Sequence, residues 1–107
     1  MLNYSQIEKI LISEIKLTAI QAKIFLLVVS KGKMSSKQIS ENLKISLSDA
    51  LDNSKNLMDL GAFIDMPNDE FEAMHPRFTA VNMYRKMCER EKIEFKKILR
   101  LIILVYF

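Results

Sequence analysis

Between Leu47 and Leu60 the chain carries four side chains suited to reading base edges, Ser48, Asp52, Asn53 and Asn56, at spacings that a helix gathers onto one side. Asparagine can pair bidentately with adenine, aspartate can accept from cytosine N4, and a serine hydroxyl suits several edges. Lys33, Lys37, Lys44 and Lys55, with the hydroxyls of Ser36 and Ser46, surround that stretch as candidate phosphate contacts. The chemistry these types support is non-covalent recognition of double-stranded DNA. The bland reading is that Asp49 is a capping carboxylate, that Asp52 and Asp59 solvate a face touching nothing, and that surface lysines are ordinary. No set of residues for nucleophilic or acid–base chemistry is visible. His75, beside Pro76, has no Cys, His or acid pair at ligand spacing, so no enzyme, metal or cofactor is expected.

The elements that must position these residues are two short helical patterns. Ser35-Ser36-Lys37-Gln38 and Ser46-Leu47-Ser48-Asp49 each put a hydroxyl where it can cap the third helical N–H, with an amide or carboxylate three residues on. Leu43-Lys44-Ile45 leaves about three residues for the connection, which fits a helix-turn-helix. The second helix places Leu47, Ala50, Leu51, Ser54, Leu57 and Met58 on an inward stripe, and Gly61 is its left-handed stop. Ser48, Asp49, Asp52, Asn53, Lys55, Asn56 and Asp59 are left facing outward, as on a recognition helix.

Two helices precede this unit. The first opens at Tyr4 or Ser5, with Ile7, Ile10, Leu11 and Ile15 as its apolar edge. The second starts at a capping box, Thr18-Ala19-Ile20-Gln21, and runs to about Ser30, apolar around most of its circumference, before Gly32. Met34 adds one strand residue. After Gly61 the period turns to alternation: Phe63, Phe71 and Ala73 toward the core, Asp65 and Glu72 toward water, and Pro67-Asn68-Asp69-Glu70 as the turn. A hairpin after a recognition helix is a wing. The expected fold is mainly α with a small β-hairpin, a winged helix-turn-helix over 1–75 followed by a long C-terminal dimerisation helix over 76–107. Asp69 and Glu70 at the wing tip would repel a phosphate backbone.

Composition narrows the partners. Half of the 107 residues are apolar and only two glycines and two prolines are present, which favours an ordered, mostly helical domain. A single cysteine, Cys88, excludes an internal disulfide and fits a reducing cytoplasm; no secretion or membrane signal is read at the N-terminus. The net charge of +3 is unevenly placed. Residues 1–75 hold eight lysines against ten acids, and residues 76–107 hold eight basic residues against three acids. DNA affinity is mostly phosphate neutralisation, so the tail supplies more of it than the body.

From Pro76 to Phe107 no breaker interrupts the pattern, which could reach about thirty residues, or ~45 Å. Val81, Tyr84, Cys88, Phe95, Ile98, Ile102 and Val105 repeat at heptad spacing, with Glu91 as one charged defect. This coiled-coil seam predicts a homodimer. The apolar run Leu101 to Phe107 is too short to span a bilayer.

Leu17-Thr18 followed by Ala22, Ile24 and Phe25, the set Ile45, Ser48, Asp52, Leu57 and Gly61, and Phe71-Glu72-Ala73 with Pro76 together resemble the N-terminal winged-helix domain of TrmB-like archaeal transcription regulators. The resemblance covers roughly Leu17 to Pro76. It implies a domain that reads operator DNA as a dimer; many members add a sugar-binding effector domain, for which this chain has no room. The family's recognition helix commonly has arginines near its start, where this chain has Leu47 and Asp49, and Leu51 replaces a tyrosine. Two functions stay open: a homodimeric transcription regulator bound to double-stranded DNA through Leu47 to Leu60, or a winged helix serving as an interaction or assembly module, with a protein of the transcription machinery as partner.

Overall fold

The central helix exists because Thr18 and Gln21 satisfy each other's backbone. In the computed structural model, which describes residues 4–73 and 76–92, the Gln21 N–H donates to Thr18 Oγ1 and the Thr18 N–H donates to Gln21 Oε1, both at 3.1 Å. Two of the four donors that a helix start leaves orphaned are thereby satisfied. The resulting helix α2 spans Ala19–Lys31 and follows α1, Tyr4–Glu14. Ala22, Ile24, Phe25, Leu26 and Val28 are buried, against Ile7, Leu11 and Ile15 of the α1 region on one side and the helix-turn-helix on the other. Ile20, in the first turn of α2, is 38% exposed, so the apolar circumference of the helix is not covered all round.

Gly32 ends α2 with φ +88°, its N–H donating to the Val28 carbonyl at 2.7 Å. The chain then enters β1, Lys33–Ser35, where one strand residue was anticipated. It is followed by α3, Ser36–Leu43, α4, Leu47–Asp59, β2, Phe63–Met66, and β3, Glu70–Ala73. The sheet is antiparallel in the order β1-β3-β2, with Met34 opposite Phe71 and Phe63 opposite Ala73. Phe63 links the sheet to the helices: its ring lies 6.3 Å from Phe25 and 6.1 Å from Phe71, centre to centre. Such aromatic pairs add about 0.5–1.5 kcal/mol each beyond the area they bury. The wing turn holds both Asn68 and Asp69 at positive φ, +67° and +59°, a conformation these two residue types tolerate better than most.

The final described helix, α5, departs from expectation in its packing. Its described span is Pro76–Glu91, 16 residues, with Lys92 at φ +56°; the continuation to Phe107 lies outside the described residues. Its inward stripe is Thr79, Met83, Tyr84, Met87 and Cys88, all buried in the same core as α1 to β3. Tyr84 and Cys88, expected at a seam between two chains, are therefore already covered within one chain, whereas Val81 is exposed. Covering a side chain the size of Met83 or Met87 is worth about 1.5–3 kcal/mol, which a lone winged helix gains at once and a dimer seam would have to exceed. Phe95, Ile98, Ile102 and Val105 lie outside the described residues. No described helix is long and apolar enough to cross a membrane.

Candidate nucleic-acid interface

The two helices of the motif are held by short-range chemistry. Ser35 and Gln38 form a complete capping box at the start of α3, the Gln38 N–H donating to Ser35 Oγ at 3.2 Å and the Ser35 N–H to Gln38 Oε1 at 2.9 Å. At its end Lys44 takes a left-handed conformation, φ +56° and ψ +46°, and its N–H donates to the Ser40 carbonyl. Ser40 also donates its hydroxyl to the Ile45 carbonyl at 2.6 Å, which closes the turn. Ser46 then caps α4 by accepting from the Asp49 N–H at 3.0 Å. No return bond from the Asp49 carboxylate accompanies it, but a carboxylate in the first turn is favoured by the helix dipole.

At its other end α4 stops in a Schellman motif. The Gly61 N–H donates to the Met58 carbonyl at 3.0 Å and the Ala62 N–H to the Leu57 carbonyl at 2.9 Å. Gly61 needs to be glycine for two reasons: φ is +84°, and a Cβ would stand 3.2 Å from Asn82 Cβ on α5. The same contact is where α5 braces the end of α4.

With both ends fixed, Ala50, Ser54 and Leu57 of α4 are buried, and Leu51 and Met58 are half-buried. Leu47, assigned by its spacing to the same stripe, is 54% exposed, although Ala50 in the same first turn is fully buried. The outward face carries Ser48, Asp49, Asp52, Lys55, Asn56 and Asp59, all exposed, with Asn53 half-exposed beside them. Asn53 is partly committed: its Nδ2 donates to the Asp49 carbonyl at 2.8 Å, back along its own helix. Asn56 makes no such bond among the described residues. Lys33, Lys37, Lys44 and Ser46 are exposed around this face, Ser46 with its oxygen engaged in the cap.

Ser36 does not belong to the interface. It is 1% exposed, its hydroxyl donates to Asp69 Oδ2, and its N–H donates to the Asp69 carbonyl at 3.3 Å. The wing tip is thus folded down onto the start of α3. The carboxylate expected to repel a phosphate backbone is occupied in holding the wing to the motif.

Lys31 was not among the phosphate contacts that the sequence suggested. Lys31 and Lys33 flank Gly32 and, with Met34, Gln38 and Asn42, line an open pocket of about 330 Å³ between β1 and the outer face of α3. The i, i+4 spacing of Gln38 and Asn42 was the available signal.

No known sequence family and no curated protein matches the chain. Among solved structures, the fold superposes on one described as that of TrmBL2, an archaeal chromatin protein with a novel mode of DNA binding, with a TM-score of 0.72. The chain resembles the TrmB-like proteins. The match covers 84% of this chain at 15% identity and 35% of the other, so the chain spans about a third of that protein's length. At this identity the likeness is one of fold, a winged helix-turn-helix with a small three-stranded sheet.

Proposed function

We propose that this chain is a winged-helix transcription regulator that binds double-stranded DNA with α4 in the major groove. The observation that carries the proposal is the outward polar face from Ser48 to Asn56, stiffened at both ends by Ser46 and Gly61 and bordered by Lys37, Lys44 and Lys55. Asn56 is the principal base reader, because its amide is uncommitted among the described residues, and Asn53 contributes once it exchanges its bond to Asp49 for a base edge. The TrmBL2 neighbour, described as binding DNA, agrees with this reading. The protein acts by binding and not as an enzyme.

The regulator works as a homodimer whose seam is built by Phe95, Ile98, Ile102 and Val105, with Val81 as the exposed member on α5. Two half-sites then lie about one helical turn, ~34 Å, or a multiple of it apart. Support comes from the heptad spacing of those residues in the sequence. Asn56→Ala tests base reading: specific duplex binding should weaken more than non-specific binding, and equal losses reject it.

A second reading rests on a specific observation. Leu47 is more than half exposed at the head of a face carrying three aspartates and one lysine, a composition that suits a protein partner better than a polyanion. Asp49→Arg separates the two readings. Duplex binding that appears only in the variant assigns the natural protein to an assembly role, with a component of the transcription machinery as its partner.

A further inference from the structure

The pocket between β1 and α3 differs from the rest of this acidic body. Lys31 and Lys33, both exposed, stand on either side of Gly32, and none of the described residues lining the pocket is a carboxylate. Glu72, which faces Lys33 across the sheet, is not among those residues. The two amides are oriented by bonds already made. Gln38 Oε1 is taken by the Ser35 N–H at 2.9 Å, so its Nε2 is left with two N–H groups to donate. Asn42 Nδ2 donates once to the Gln38 carbonyl at 2.8 Å and keeps a second N–H. Donors therefore outnumber acceptors among the remaining valences, and the pocket carries two positive charges within about 330 Å³.

We propose that this pocket binds a phosphate group, with Lys31 and Lys33 supplying charge and Gln38 and Asn42 supplying directed N–H groups. The phosphate belongs either to a DNA backbone strand passing beside α3 or to a free phosphorylated molecule. Only the first source rests on the DNA-binding reading above.

The test titrates the full chain, and the double variant Lys31→Gln/Lys33→Gln, with inorganic phosphate and with a mixed-sequence duplex. Side-chain amide signals of Gln38 and Asn42 are followed by NMR at constant ionic strength. Saturable movement with phosphate in the parent, weakened at least tenfold in the variant, is the expected result. In the duplex arm, a slope of log affinity against log salt that is shallower in the variant, by about 0.9 for each phosphate released, assigns the site to the DNA backbone. Saturable phosphate binding with an unchanged slope assigns it to a free phosphorylated ligand. Amide signals that do not saturate, or that respond equally in parent and variant, together with an unchanged slope, overturn the proposal. If the parent binds no duplex at all, the DNA-binding reading fails and the phosphate arm still decides the pocket.

Discussion

Ser54 sits on the inner side of α4 with no solvent exposure, and its hydroxyl is a buried polar atom without a hydrogen-bond partner among the described residues. Ser54→Ala should therefore stabilise the fold. An unmatched buried hydroxyl costs about 1–3 kcal/mol, and alanine is the better helix former by up to ~0.7 kcal/mol. Against this stands the gap left by one oxygen, smaller than a methyl group, whose loss costs at most about 1 kcal/mol. The balance lies between about 0 and 3.7 kcal/mol in favour of alanine, with a midpoint of ~2 kcal/mol. For a domain of this size each kcal/mol raises the melting temperature by roughly 4–8 °C. Urea denaturation followed by circular dichroism reads the change as a higher midpoint at constant slope. Because Ser54 points away from the Ser48 to Asn56 face, duplex affinity should stay the same. A loss of 1 kcal/mol or more at constant slope would refute the reasoning, since it would mean that the hydroxyl has a partner in solution, such as an internal water or the carbonyl one turn earlier.

Other perturbations probe the supports of the site. Gly32→Ala forces alanine to φ +88° in open space and should cost about 1–2 kcal/mol, whereas Gly61→Ala adds the contact with Asn82 Cβ at 3.2 Å and should cost more in the same denaturation assay; equal losses would remove α5 as the brace of α4. Ser36→Ala removes the bond to the Asp69 carboxylate and should cost about 1 kcal/mol, with faster hydrogen exchange at the Ser36 and Glu70 amides; unchanged exchange would mean that the wing is held by its ladder alone. Ile98→Asp should convert the proposed dimer to monomer by sedimentation, and an unchanged mass would take the C-terminal repeat out of the interface.

What was legible in the sequence is chemistry confined to neighbours. Thr18 with Gln21, Ser35 with Gln38, and the stops at Gly32 and Gly61 are relations within a few residues, so residue types alone identify them. The wing follows for the same reason, since Phe63 and Phe71 alternate with polar residues around a short turn. What was not legible depends on tertiary contacts. On a 16-residue helix the heptad spacing through Tyr84 and Cys88 suits a seam between chains and a face packed within one chain equally, because a heptad drifts only ~20° from a true helical face. The fold takes the second, burying Tyr84 and Cys88 together with Thr79, Met83 and Met87. Ser36 looked like an exposed helix-start hydroxyl, and its partner Asp69 is 33 residues away. Leu47 fits the inner stripe by spacing, but burial on α4 begins at Ala50, three residues later. Lys31 and Lys33 join Gln38 and Asn42 only when β1 folds beside α3.

The central claim is that the face from Ser48 to Asn56 meets a duplex although Asp49, Asp52 and Asp59 lie on the same helix. It is tested most directly by measuring duplex affinity as salt rises from about 50 to 200 mM. The account predicts measurable binding at the low end that weakens linearly in log affinity against log salt. Absence of binding at the lowest salt, or binding indifferent to salt, would contradict it.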